Sequence, residues 1–289
     1  MPNDPQVPWT DEQWARVNQV IREEARRARV AATFLPLYGP LQTDADFVRR
    51  QDISYAPQLS IDDRDTIRLA TLQVRVPIRN AQMADPEMTS VLALFRRAAN
   101  VVARLEDAVV FRGLAPGGSA PQGRVVGLPG IWQITGALEA SGLWATGPQW
   151  VEVPAEPENL RGQNIVGAVS EAIGLLEQSG HFGPFAVVLG KGLFLVAQTP
   201  DVSLVLPQDR IIPFLGGGPL LRSSTLDELN GFSGVVVALG GAPVELVVAT
   251  DICLQFLQVT TDPNFIFRVC EKIALRIREQ EAIVQLYMQ

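Results

Sequence analysis

The residues able to do chemistry in this chain are few, and each sits in a setting that disarms it. His181 is the only histidine, so a Ser-His-Asp triad or an imidazole-based metal site would have to be built around it alone. No Gly-x-Ser-x-Gly turn offers a nucleophile. Its context, Gly180-His181-Phe182-Gly183-Pro184, predicts a turn between a helix end and a buried strand. Gly190-Lys191-Gly192 and Gly216-Gly217-Gly218 have the glycines of a phosphate loop. They lack the Gly-Lys-Ser/Thr ending that sets an ammonium and a hydroxyl on a nucleotide, and they read as flexible loops. Asp62, Asp63 and Asp65 offer oxygens to a hard cation, but without the spacing and terminal glutamate of a calcium loop, so a solvated hairpin tip is expected. Cys253 and Cys270 lie in apolar-patterned segments and read as small buried hydrophobes rather than as a disulfide or a nucleophile. No catalytic, cofactor-binding or metal constellation emerges.

Composition narrows the class further. A chain of 289 residues holds one large domain or two ordinary ones. It is 47% hydrophobic, with a mean hydropathy of +0.15, which fits either a large core or extensive contact between subunits. The formal net charge of -7 argues against an outer surface built to grip nucleic acid, although overall charge need not report an inner face. The pairs Arg26-Arg27, Arg49-Arg50 and Arg96-Arg97 are scattered among acids, as solvated faces or inter-subunit ion pairs would be. Met1 to Trp9 shows no charged start followed by an apolar run, so no signal peptide is expected. The longest apolar stretch, Gly234 to Val259, is broken by Gly240-Gly241, Glu245 and Asp251, so no membrane span is expected and a cytoplasmic location is.

The elements that must position these residues begin with Thr10, which with Gln13 makes a capping box for a helix burying Trp14, Val17, Ile21, Ala25 and Ala28. Pro36 and Gly39-Pro40 end that element. Residues 43–80 read as two strands joined by a polar tip at Asp62-Asp63-Arg64-Asp65, with too few large apolar residues for a core of their own. Asp85-Pro86 predicts the start of a long helix striped by Met88, Val91, Leu92, Phe95, Ala99, Val102, Leu105 and Val109 and stopped at Gly113. A linker over Ala115 to Gly123 follows. A second compact region over 128–232 holds a helix near Leu160 to Ser179, a buried strand from Phe185 to Leu189, and loops from Thr199 to Leu221. Gly234 to Leu239 and Val244 to Thr250 read as a hairpin around Gly240-Gly241, with last strands over Phe265 to Arg278 and Ala282 to Tyr287. The fold class is α+β.

Three sets of residues, in this order, carry a family resemblance. They are Gln13-Trp14 with Tyr38-Gly39-Pro40-Leu41; Glu106-Asp107-Ala108-Val109-Val110-Phe111-Arg112-Gly113; and Phe267-Arg268-Val269 with Glu271, Leu275-Arg276-Ile277 and Glu281-Ala282-Ile283. Together they resemble the encapsulins, bacterial and archaeal shell proteins with the tailed-phage major-capsid fold. The resemblance implies a peripheral domain, an axial domain and an extension loop. It divides the chain into an N-terminal helix and arm on the inner face (1–42), the extension loop (43–80), the spine helix and linker (81–127), the axial domain (128–232) and peripheral strands (233–289). A phage or prophage major capsid protein is the alternative, and an enzyme or protease a more remote one.

The resemblance also implies function: a closed icosahedral shell of many copies, pores at its symmetry axes, and an enclosed cargo enzyme docked through a short targeting peptide. The docking groove would run beside the N-terminal helix, past Ile21, Ala25, Ala28, Ala32, Phe34 and Pro36. Family members carry Gly-Arg and then Asp before the Gly-Pro; here Ala31-Ala32 and Pro36 stand at those positions, so both polar docking groups are gone. Chemistry alone reads Glu106, Asp107 and Arg112 as exposed charges at a helix end; the resemblance implies a structural ion-pair cluster instead. Some capsids of this fold cross-link an extension-loop lysine to a neighbour's asparagine, but the only lysines here are Lys191 and Lys272, both outside 43–80.

Overall fold

The computed structural model describes residues 6–42, 44–55, 58–114, 130–137, 140–157, 161–200, 204–228, 232–262 and 264–288. The linker expected at 115–123 lies outside them.

Thr10 caps the first helix, Asp11–Ala28, as its sequence requires. Its hydroxyl accepts the Gln13 N–H at 3.2 Å while Gln13 Oε1 accepts the Thr10 N–H at 3.0 Å. Trp14, Val17, Ile21 and Ala25 line the buried face of that helix. That face packs on the spine helix, Thr89–Arg112, about 36 Å long at 1.5 Å per residue. The spine starts three residues later than Asp85-Pro86 predicts. Asp85 still caps, accepting the N–H groups of Glu87 and Thr89 at 3.0 and 3.2 Å, but Met88 turns left-handed (φ 54°) to sink its side chain into the core before the helix begins. Every residue of the expected stripe is buried, and from Val101 to Phe111 only Arg104 is not.

Both helices lie on a five-stranded sheet in the order Leu37–Tyr38, Val244–Val259, Asn264–Ile277, Ala70–Arg79, Trp132–Thr135. Its centre is the long antiparallel hairpin of Val244–Val259 and Asn264–Ile277. Trp9, Trp14, Phe95 and Phe267 interlock between sheet and helices, with Trp9 stacked on Phe267 at 5.0 Å between centroids. Gly39, at φ +140°, lets the chain pass so close to this sheet that a Cβ would sit 2.1 Å from the Val248 carbonyl oxygen.

A second five-stranded sheet runs Gln149–Glu152, Ile283–Tyr287, Ser233–Ala238, Phe185–Leu189, Leu220–Arg222. Helix Arg161–Gln178 covers it with Ile165, Val169, Ile173 and Leu176 turned inward. The hairpin expected around Gly240-Gly241 does not form. Ser233–Ala238 pairs with Phe185–Leu189 and Ile283–Tyr287, whereas Val244–Val259 belongs to the first sheet. Six consecutive buried residues leave no alternation from which a partner could be read. The two sheets draw strands from both sides of the 232/233 boundary. Ser233–Ala238 and Ile283–Tyr287 complete the second sheet, and Trp132–Thr135 edges the first. The segment read as loops carries a short helix, Pro207–Ile211, a helical turn at Ile212–Leu215 and the strand Leu220–Arg222.

The extension arm is built from two short ladders, Phe47–Arg49 with Thr66–Arg68 and Asp52–Ser54 with Ser60–Asp62. The chain therefore reverses between Ser54 and Ser60, and the acidic knot is not the tip. Asp62-Asp63-Arg64-Asp65 interrupts the returning limb, where Asp62 accepts the Arg64 N–H at 3.1 Å and Asp63 pairs across the arm with Arg49.

Candidate functional site

The spine's last turns carry a buried charged cluster. Glu106 is fully buried, and its cation is Arg29, at the end of the first helix, with Nε 3.6 Å from Oε2. The same guanidinium faces Glu271 at 3.7 Å and the exposed carboxylate of Asp251 at 3.2 Å. Asp251 meets Arg29 from the surface side, at a bulge in Val244–Val259 between Thr250 and Cys253. Burial alone would lower the Arg29 pKa, but the carboxylates of Glu271, Glu106 and Asp251 outweigh it and the net shift is upward. Burial raises both Glu106 and Glu271. Glu271 rises further because Glu106 is beside it, and the Arg29 guanidinium pulls both back down.

Asp107 does a different job. Its carboxylate accepts the N–H groups of Val30, at 2.9 and 3.0 Å, and of Ala31, at 2.7 Å, capping the short helix Ala31–Phe34. Burial first, then Glu106, push it up to about 8 against the downward pull of those two donors. Arg112, the third member of the expected cluster, closes the spine half-buried, and the ion pair of Glu106 is made by Arg29 instead. Arg29 was legible only as a basic residue after a helix; nothing local marks it as the buried counter-charge.

The expected docking residues divide into two groups. Ile21, Ala25 and Phe34 are core side chains, Ile21 packing towards the spine and Phe34 stacked with Phe111 at 6.3 Å between centroids. Their side chains are taken up by that packing, the other role their face offered. Ala28, Ala32 and Pro36 are half-buried at the surface margin of the same helices.

The other candidate chemistries resolve into structure. His181 completes the cap of helix Arg161–Gln178: its N–H bonds the Leu176 carbonyl and the Gly180 N–H bonds that of Glu177, with Gly180 at φ +86°. Gly190-Lys191-Gly192 is not a flexible loop but the start of helix Lys191–Gln198. The anion at that helix end is Asp227, which accepts the Lys191 N–H and pairs with Arg222 at 2.9 Å. Cys253 and Cys270 are free, Cys270 buried and Cys253 half-buried. Among the described residues no group of three or more His, Cys, Asp or Glu is placed to hold a metal ion, and no helix is long and apolar enough to cross a membrane.

The arm is fastened at its root. Arg276, 1% exposed, pairs with Glu245, lies 4.2 Å from the centre of the Tyr38 ring, and donates to the Arg49 carbonyl at 3.3 Å. Arg278 holds Gln51 at 3.0 Å and Lys272 holds Asp46 at 2.7 Å. Phe47 at that root, and Tyr55, Leu59 and Ile61 further out, are between 62% and 73% exposed.

This architecture has relatives. The virus-like particle of Pyrococcus furiosus superposes with a TM-score of 0.68 at 16% identity, over 95% of this chain and 99% of the other. The capsid of Myoviridae phage XM1 gives 0.55 at 11% identity, over 88% and 90%. The fold is that of tailed-phage major capsid proteins. In sequence, the chain is 26% identical over 296 residues to the type 1 encapsulin shell protein EncA of Myxococcus xanthus, covering 96% of this chain and 93% of the relative. The family model described as "Encapsulating protein for peroxidase" matches residues 3–123 and 135–274. With nearly the whole chain matched, the protein belongs to that family of encapsulin shell proteins.

Proposed function

We propose that many copies of this chain close into an icosahedral compartment in the cytoplasm that encloses a cargo enzyme, with small molecules crossing through pores at the symmetry axes. The observation that carries this reading is the arm. Its root is tied down by Arg276, Arg278 and Lys272, while Phe47 at that root and Tyr55, Leu59 and Ile61 further out stay exposed with no core of their own. Burying one large apolar side chain is worth about 1.5–3 kcal/mol, so such a limb is suited to lie on a neighbouring subunit. Membership of the shell-protein family supports the same conclusion.

The chain acts as a wall and not as a catalyst: its lone histidine caps a helix and its glycine-flanked lysine opens one. Sedimentation velocity and negative-stain microscopy of the purified protein test the assembly. Closed particles are expected, and a monodisperse species at 31.4 kDa would overturn the reading. Cargo-free particles assayed for peroxidase, ferroxidase and protease turnover test the second part. Activity that persists in them and disappears on mutating this chain would refute it.

A further inference from the structure

The chain has two cysteines, and the sheet sets them face to face. Cys253 and Cys270 are direct cross-strand partners in the central hairpin, with sulfurs 3.8 Å apart and no bond between them. Directly opposed antiparallel residues have Cα atoms about 4.5–5.5 Å apart. Disulfides span Cα separations of about 4.4–6.8 Å, so the backbone need not move for the sulfurs to close to about 2.05 Å. Arg268 lies beside the pair, held by Gln255 at 2.6 Å and Gln73 at 3.2 Å, and the Gln255 amide approaches the Cys253 sulfur at 4.0 Å.

We propose that Cys253 and Cys270 are a redox-modification site, closing to a reversible cross-strand disulfide when the protein meets a hydroperoxide. Cys253 attacks: it is the half-buried partner, and its thiol is lowered by the hydrogen bond from Cys270 and, despite burial, by Arg268. Cys270 resolves: it is buried, and its thiol is raised by that same hydrogen bond and by burial. The Cys253 thiolate takes the terminal oxygen of the hydroperoxide, the O–O bond breaks, and the departing oxygen picks up a proton to leave as alcohol or water. The Cys270 sulfur then attacks the sulfenic sulfur of Cys253. The S–S bond forms, the S–O bond breaks, and hydroxide leaves with the Cys270 proton as water. Two thiols lose two electrons in all, and one hydroperoxide gains them.

The bridge would lie beside the bulge at which Asp251 meets Arg29, so oxidation stiffens the strand that completes the buried charged cluster. It also constrains the unfolded chain, and the oxidised protein should melt at a higher temperature. The inference does not depend on assembly or cargo.

The test is to treat the full-length protein with hydrogen peroxide or tert-butyl hydroperoxide, denature it, and count thiols by maleimide alkylation. Both thiols should vanish and return with dithiothreitol. Peptide mapping should join the Cys253 and Cys270 fragments, and the non-reducing gel should stay at the monomer position. In Cys270→Ser, dimedone should trap a sulfenic acid on Cys253. Thiols that remain alkylatable, a sulfinic acid on Cys253 beside a free Cys270, or a bridge between two chains would each overturn the proposal.

Discussion

Asp107 Oδ1 accepts the Ala31 N–H at 2.7 Å across 76 residues of sequence, so the spine caps a helix that belongs to the N-terminal segment. The bond fixes where the first helix ends and how the chain turns towards Gly39-Pro40. Asp107→Ala would leave the buried Ala31 amide and the half-buried Val30 amide without their acceptor, at about 1–3 kcal/mol for the buried one. The midpoint of chemical denaturation should fall accordingly. Asp107→Asn, which keeps one acceptor oxygen, should recover much of the loss.

Stability should decline with rising pH, because this cluster holds protons that the unfolded chain releases. Asp107 sits at about 8 instead of 3.8, and Glu106 and Glu271 are also shifted upward. For a carboxyl raised in the fold, the native state binds more protons than the unfolded state between the two pKa values, so stability falls with pH there. Its contribution is full below the unfolded value and for Asp107 is gone above about 8. Melting temperatures across pH 5 to 9 should therefore drop towards the alkaline end, and Asp107→Asn with Glu271→Gln should flatten the slope. A wild-type profile that rises over this range would contradict it.

Removing Arg29 should be costly. Its guanidinium is the cation facing Glu106 and Glu271, both fully buried, and truncating one partner of a buried ion pair costs about 3–5 kcal/mol. Arg29→Met should lower the yield of folded protein and the denaturation midpoint. Adding Glu106→Gln and Glu271→Gln should restore part of both, since the charge left behind is then gone. Additive losses in the triple variant would show that the three do not act as a unit.

The spine, the capping box at Thr10 and Gln13, and the turn at His181 were legible in the sequence because each is written in local periodicity or in turn and cap residues. What escaped was pairing. Ser233–Ala238 is apolar throughout, so its placement beside Phe185–Leu189 and Ile283–Tyr287 depends on contacts that no local pattern encodes. Arg29 meets Glu106 and Glu271 only after the first helix has packed on the spine and the spine on the sheet. The tip of the arm was misplaced because a cluster of aspartates resembles a turn, whereas here it interrupts a limb through the local Asp62–Arg64 bond. Ile21 and Ala25 were candidates for two roles on one face, and burial assigned them to the core.

Particles should be held together without covalent bonds between subunits. Residues 43–80 contain no lysine, so the amine needed for an isopeptide link from the arm is missing. Assembled particles boiled in reductant should give a single band at the monomer mass. A ladder of multimers would mean that Lys191 or Lys272, the only lysines, supplies the bond from elsewhere.

Cargo docking, on the proposed reading, should depend on the apolar margin and not on charge. By the family resemblance, Ala32 and Pro36 stand where an arginine and an aspartate are expected to hold a peptide; in the structure they and Ala28 are half-buried beside the core residues Ile21 and Ala25. A peptide lying there would gain about 25 cal/mol per Å² of apolar surface covered, with little charge for salt to screen. Loading of a co-expressed cargo should therefore be retained between low and high salt. Ala32→Asp should reduce it by placing an unpaired charge on that edge, while leaving particle assembly intact. Ile21→Asp is the wrong probe, because a carboxylate at a position 1% exposed would unfold the helix packing before it reported on any groove. Loading that collapses in high salt yet survives Ala32→Asp would place the cargo on another surface.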